Sequence, residues 1–108
     1  MEHWDLRTLD IEPHHPQVLQ SKRGEARAIA INLPAGERLQ DHEVHERAYL
    51  VVLDGEVEVV AGDTVTTGAG SVCTFAPKER HEVRATRDAR LLLVLAPWPG
   101  AGHPGTRD

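Results

Sequence analysis

The sequence predicts an all-β protein, built as a sandwich or a closed barrel. Three observations carry this. Short runs of alternating or continuously apolar residues recur along the chain, among them "ARAIAINL", "EVEVV" and "LLLVLA". Turn signals separate them at similar intervals: Asp54–Gly55, Gly62–Asp63, Gly68–Gly70 and Pro77–Arg80. No apolar set recurs at the spacing of an amphipathic helix.

Taken in order, the segment up to Pro16 is weakly patterned, with Trp4 and Leu6 as its natural anchors. His14 and His15, between prolines in "EPHHPQ", read as a loop or edge strand rather than a site. Ala26–Leu33 alternates Arg27, Ile29, Ile31 and Leu33 on one face with Ala26, Ala28 and Ala30 on the other. Asp54–Gly55, between apolar runs, is a hairpin signal. "SVCTFAP" and "HEVRAT" follow as strands; in the latter His81, Val83 and Ala85 share the inner face, and Glu82, Arg84 and Thr86 the outer. Two runs, Ala48–Leu53 and Leu91–Ala96, are apolar on both faces and need cover on both sides. A homodimer is the expected cover, with a closed two-sheet sandwich as the alternative. From Pro97 the tail "PWPGAGHPGTRD" reads as an extended, partly mobile end pinned by Trp98.

The 108 residues suit one domain. Its core barrel is expected over about residues 24–97, with an N-terminal strand or arm over 1–23 and a Pro/Gly-rich tail over 98–108. Acidic side chains outnumber basic ones by 17 to 12, giving a formal net charge of −5. That balance argues against a nucleic-acid surface. No apolar run approaches the length of a membrane span, and the acidic start lacks the features of a signal peptide. One cysteine, Cys73, makes no internal disulfide, so a cytoplasmic protein is expected.

The string "HEVHE" tempts a reading as a helical zinc motif, but His42 and His45 are three apart rather than four. β-type runs follow at once, so this stretch is expected to be a strand. Gln40, His42 and Val44 then point inward, while Asp41, Glu43 and His45 form a solvated face. His45, Glu46 and Arg47 are surface charge in this reading, unless a bulge near Glu46 turns His45 inward.

"PAGERLQDHEVHERAYLVVLDGEVEV" and "GSVCTFAPKERHEVRA" resemble the two motifs of small single-domain cupins. In the first motif, G-x5-H-x-H-x3-4-E-x6-G, Gly36, His42 and Gly55 match. In the second, G-x5-P-x-G-x2-H-x3-N, Gly70 and His81 match. The resemblance runs from about Leu33 to Pro97. It implies an antiparallel double-sheet jelly-roll barrel, often dimeric, with a pocket inside one end.

The departures bear on chemistry. The family's metal site takes two histidines and a glutamate from the first motif and one histidine from the second. Val44 stands at the second histidine position and Ala48 at the glutamate position. Ala76, Lys78 and Ala85 replace the Pro, Gly and Asn of the second motif, with Pro77 left to supply the turn. His42 and His81 remain as candidate ligands of one divalent ion (Zn, Fe, Mn or Ni), with His45, Gln40 or Cys73 as candidate third donors. The leading expectation is a small-molecule pocket around His42 and His81, walled by Gln40, Val44, Ala48, Leu50, Val52 and Val83. A metal-dependent oxygenase or isomerase with an incomplete ligand set is the alternative. Tyr49, of opposite parity to Ala48, should face away from the pocket.

Overall fold

The computed structural model describes residues 1–42 and 44–103, with the backbone alone for Gln40, Asp41 and His42. Among the described residues seven strands follow one another: β1 (Gln17–Ser21), β2 (Glu25–Leu33), β3 (Arg38–His42), β4 (Arg47–Ala61), β5 (Asp63–Gly68), β6 (Val72–Phe75) and β7 (His81–Trp98). All the pairings are antiparallel.

Two long strands organise the molecule. The first half of β4 pairs with β6 and with the second half of β7, which in turn pairs with β2, and β2 with β1. The second half of β4 pairs with β5 and with the first half of β7, which pairs with β3. Both long strands thus belong to two sheets. Their inward residues meet in one core that joins Ile31, Leu50, Val52 and Leu91 from one sheet to Val57, Val59, Val83 and Ala85 from the other. Strands that switch sheets through bends are how a double-sheet barrel turns its corners.

The switch occurs where the Asp54–Gly55 hairpin was expected, and that expectation is corrected. β4 runs straight through Asp54–Gly55, and its ladder with β7 slips there, from Val52↔Leu91 through Asp54↔Arg90 and Glu56↔Arg87 to Val57↔Ala85. Gly55 has φ 84°, which fits a bulge with glycine in the left-handed region. Long-range pairing with β7 overrides the local turn propensity of Asp-Gly. The tight turn falls later, at Gly62 between Ala61 and Asp63.

Alternation is obeyed away from the bend. His81, Val83 and Ala85 are buried, while Arg84 and Thr86 are exposed. Ala48, Leu50 and Val52 are buried, and Tyr49, of opposite parity, is 37% exposed. The chain's own N-terminal segment packs on the outer face beside the start of the Leu91–Ala96 run. Asn32 Nδ2 donates to Ile11 O at 2.9 Å, and the Arg90 guanidinium donates to Leu6 O and Leu9 O. Asn32 and Arg90 are register partners on the outer face, so the segment lies across β2 and β7 there, with Ile11 buried.

At the bend the backbones approach closely. A Cβ on Gly55 would sit 2.0 Å from Asp88 O. Asp88 also accepts the Ala35 amide through Oδ1 at 2.8 Å, which ties the β2–β3 turn to the same corner. Gly36 has a similar φ of 85° but nothing within 4 Å of its would-be Cβ. Gly36→Ala should cost only the left-handed strain, about 1–2 kcal/mol. Gly55→Ala adds the clash and should cost about 2–5 kcal/mol. Urea unfolding midpoints of the two variants measure the difference directly.

Candidate functional site

The end of the barrel opposite the bend gathers the residues singled out in the sequence. β3 ends and β7 begins there, with His42 and His81 as Cα partners in the ladder. The backbone at residue 42 is extended, as expected. The register slips between Leu39↔Val83 and His42↔His81, three residues in β3 against two in β7. The extra residue is a bulge within the Gln40–His42 stretch. Leu39 packs against the core, so simple alternation from Leu39 does not carry through to residue 42. The side chains of Gln40 and His42 lie outside the described residues, as does Glu43.

His81 is the described polar group at this end. It is 5% exposed, and its ring lies flat on Phe75, with centroids 4.0 Å apart and planes 8° apart. Phe75 belongs to β6 and His81 to the other sheet, so the stack bridges the two sheets at the mouth. Nδ1 lies 3.0 Å from Glu79 O. A carbonyl oxygen only accepts, so Nδ1 donates to it. The turn before it is built by Pro77 and Lys78: Glu79 N–H donates to Ala76 O at 3.0 Å, and Ala76 N–H donates to Glu79 Oε1 at 2.9 Å. Pro77 does supply the turn. Lys78, at the glycine position of the family pattern, takes φ 67°.

The expected wall residues face inward but form packed core. Ala48 and Val52 are 0% exposed, and Leu50 and Val83 are 1% exposed. Val44 packs against that core from the β3–β4 connection. The expected wall along β4 is therefore closed by its own side chains.

A metal does not fit the described donors. Ala48, at the glutamate position, is closed in opposite Phe75 and Leu95. Cys73 faces inward opposite Leu50 and packs on the core. Burial pushes its thiol pKa up, so the thiolate that binds metal is disfavoured. His45 is drawn to the C-terminal tail. No group of three His, Cys, Asp or Glu side chains converges among the described residues.

The surface-charge reading of His45–Glu46 is corrected. Glu46 is 2% exposed, and its Oε2 accepts the Gly100 N–H at 2.7 Å. The ring of His45 meets that of His103 edge to face at 5.7 Å, and His103 meets Trp98 at 4.7 Å. His45 Nδ1 is buried without a hydrogen-bond partner. Arg47 is exposed, as expected. The tail is also corrected as far as His103. It is no extended end but a turn, with His103 N–H donating to Gly100 O at 3.0 Å. Trp98 pins it as expected, under Arg27, whose guanidinium lies 4.7 Å above the ring. No local signal marks Glu46 as buried, because its partner is 54 positions away. The one clue is the glycine itself: a Cβ on Gly100 would sit 2.3 Å from His45 O.

These contacts enclose an open cleft of about 690 Å³ on the outside of the barrel. It is lined by His45 to Arg47, Tyr49, Pro77, Lys78, Ala96, Pro97, Gly100 and Ala101. Sequence reading did not find it. His14 is placed as foreseen, in a turn, with Nε2 3.1 Å from Glu37 Oε1 at the surface.

Glu46→Ala should leave a buried amide without an acceptor and cost about 1–3 kcal/mol. Glu46→Gln keeps an acceptor oxygen and should cost less. Amide hydrogen exchange at Gly100 reports the same order, fastest in the alanine variant and slowest in the wild type.

The model of the cupin domain matches residues 30–96, more than half of the chain. Solved structures share the architecture over nearly the whole length. A cupin protein from Desulfovibrio desulfuricans is 24% identical with a TM-score of 0.74, covering 90% of this chain and 96% of its own. A conserved protein with a double-stranded β-helix domain from Klebsiella pneumoniae is 16% identical with a TM-score of 0.77, covering 95% and 94%. The cupin domain of Schizosaccharomyces pombe Cnp3 is 15% identical with a TM-score of 0.75, covering 85% and 71%. With its sheet-switching strands and the glycines that turn them, the chain belongs to the cupin family.

Proposed function

We propose that this cupin binds a small organic molecule at the mouth of its barrel, at the level of the His42–His81 pair. One observation carries the reading. His81 is a buried imidazole held in place by Phe75 and Glu79, opposite a second histidine in the ladder. An imidazole held beside an apolar core suits a hydroxyl or acid group on a small apolar body, the usual form of a small-molecule site. The alternative, a divalent-metal oxygenase or isomerase, would need donors beyond the described set.

A thermal-shift panel of small hydroxylated and carboxylated compounds tests this. A ligand at 100 times its Kd adds about 2.7 kcal/mol, roughly 10–20 °C in Tm for a domain of this size. His42→Ala and His81→Gln should each abolish most of that shift. The reading fails if no compound stabilises the protein or if both variants keep the full response. About one tightly held metal per chain after purification without a tag would favour the enzyme reading instead.

The same proposal includes a homodimer. The outer face of the larger sheet keeps an apolar row that the N-terminal segment does not account for: Leu92, Val51 and Val72. Val72 is 60% exposed. Single exposed apolar residues are ordinary, whereas contiguous rows mark interaction surfaces. No helix of the described residues is long and apolar enough to cross a membrane, and a cytoplasmic setting without nucleic-acid partners remains our reading of this acidic chain. Sedimentation equilibrium should show a dimer for the wild type and a monomer for Val51→Asp combined with Val72→Asp. A wild type that sediments as a monomer sinks the dimer.

A further inference from the structure

We infer that the cleft outside the barrel is a second ligand site, for a small amphipathic organic anion. Its position separates it from the mouth. Arg47 and Tyr49 pair with Ala96 and Val94 on the outer face of β4 and β7, while the inward neighbours Ala48 and Leu95 belong to the core.

The chemistry follows from what lines it. Tyr49, Pro77, Ala96, Pro97 and Ala101 give apolar walls. Two exposed cations, Arg47 and Lys78, stand at the same cleft. Neither side chain makes a hydrogen bond or ion pair with a described residue, whereas Arg38 and Arg87 are paired with carboxylates. Glu46 does not offset them at the surface, because it is buried and takes the Gly100 amide. Among the described residues the cleft is therefore apolar with two unpaired cations at its edge, and its volume lies within the usual range for small-molecule sites, about 300–1,000 Å³. An apolar body with one carboxylate or sulfonate group complements both features.

Lys78 adds an independent observation. It holds φ 67°, a conformation that is costly for a side-chain-bearing residue and free for glycine. Its amide donates to Val44 O at 2.6 Å, which locks the turn in place. Strain held in this way is characteristic of positions kept for what the side chain does. A glycine would serve the turn better, and only the ammonium is gained by having lysine there.

The test uses anilinonaphthalenesulfonate, an apolar anion, with neutral N-phenylnaphthylamine as its control, each titrated against the whole chain by fluorescence. The anion should bind at one per chain. Lys78→Gly should weaken it about tenfold or more while leaving the melting temperature unchanged or raised. Arg47→Gln should weaken it similarly, and His81→Gln should leave it unaltered. The neutral probe should be indifferent to both charge removals. Equal binding of the two probes, full affinity in Lys78→Gly, or loss of binding in His81→Gln overturns the second site. So does binding that disappears as the protein is concentrated, since a second copy would then be the occupant.

Discussion

The contact between the β4 and β7 backbones at Gly55 and Asp88 is the constraint on which the barrel depends. Only a residue without a Cβ permits that approach, and the approach lets both strands leave one sheet and enter the other at the same level. Without it, Val57, Val59, Val83 and Ala85 would not lie across from Leu50, Val52 and Leu91, and there would be two half-cores instead of one. Burying each Val or Leu fully is worth about 1.5–3 kcal/mol, so a shared core decides whether so small a chain folds. Asp88 couples the corner to the β2–β3 turn through the Ala35 amide, and the start of β3 is set from there.

The same geometry places the chemistry at the far end. Because β7 is continuous from His81 to Trp98, its first residue comes to one rim of the barrel and its last to the outer edge of the other sheet. His81 crosses the mouth to stack on Phe75. Trp98 and the turn after it fold back over His45 and Glu46. One strand thus supplies a ring to the inside of the mouth and a wall to the cleft outside it. The barrel mouth and the outer cleft lie on either side of the β3–β4 connection, where Val44 packs inward and His45 lines the cleft.

What the sequence showed well was whatever repeats locally. The alternation of "HEVRAT" placed His81, Val83 and Ala85 inside, and the parity of Tyr49 against Ala48 placed it outside, since a pleated strand leaves no other choice. What it hid was set by partners far along the chain. Asp54–Gly55 has the composition of a hairpin turn, but its neighbours pair onward with β7, and the glycine serves a bulge. Glu46 looks like surface charge until Gly100, far along the chain, brings an amide to it. The bulge in β3 likewise depends on register with β7, which no reading of "RLQDH" alone contains. The outer cleft is lined in part by Glu46 and Gly100, so no local motif announces it.

The replacement of metal-binding positions by Val44 and Ala48 changes what the mouth can be. With ligands there, the end of the barrel would be a polar cage. With Ala48 sealed opposite Phe75 and Leu95, the apolar core extends nearly to the rim, and His81 is left as a polar ring in apolar surroundings. Such a ring costs desolvation, and its bond to Glu79 O is part of what offsets that cost. An apolar residue of similar volume would pack on Phe75 at lower cost. The chain nevertheless carries an imidazole there, held by Phe75 and Glu79, and its partner strand ends in a second histidine. If the mouth binds a ligand as proposed, the closed core beneath limits it to a molecule that sits shallow.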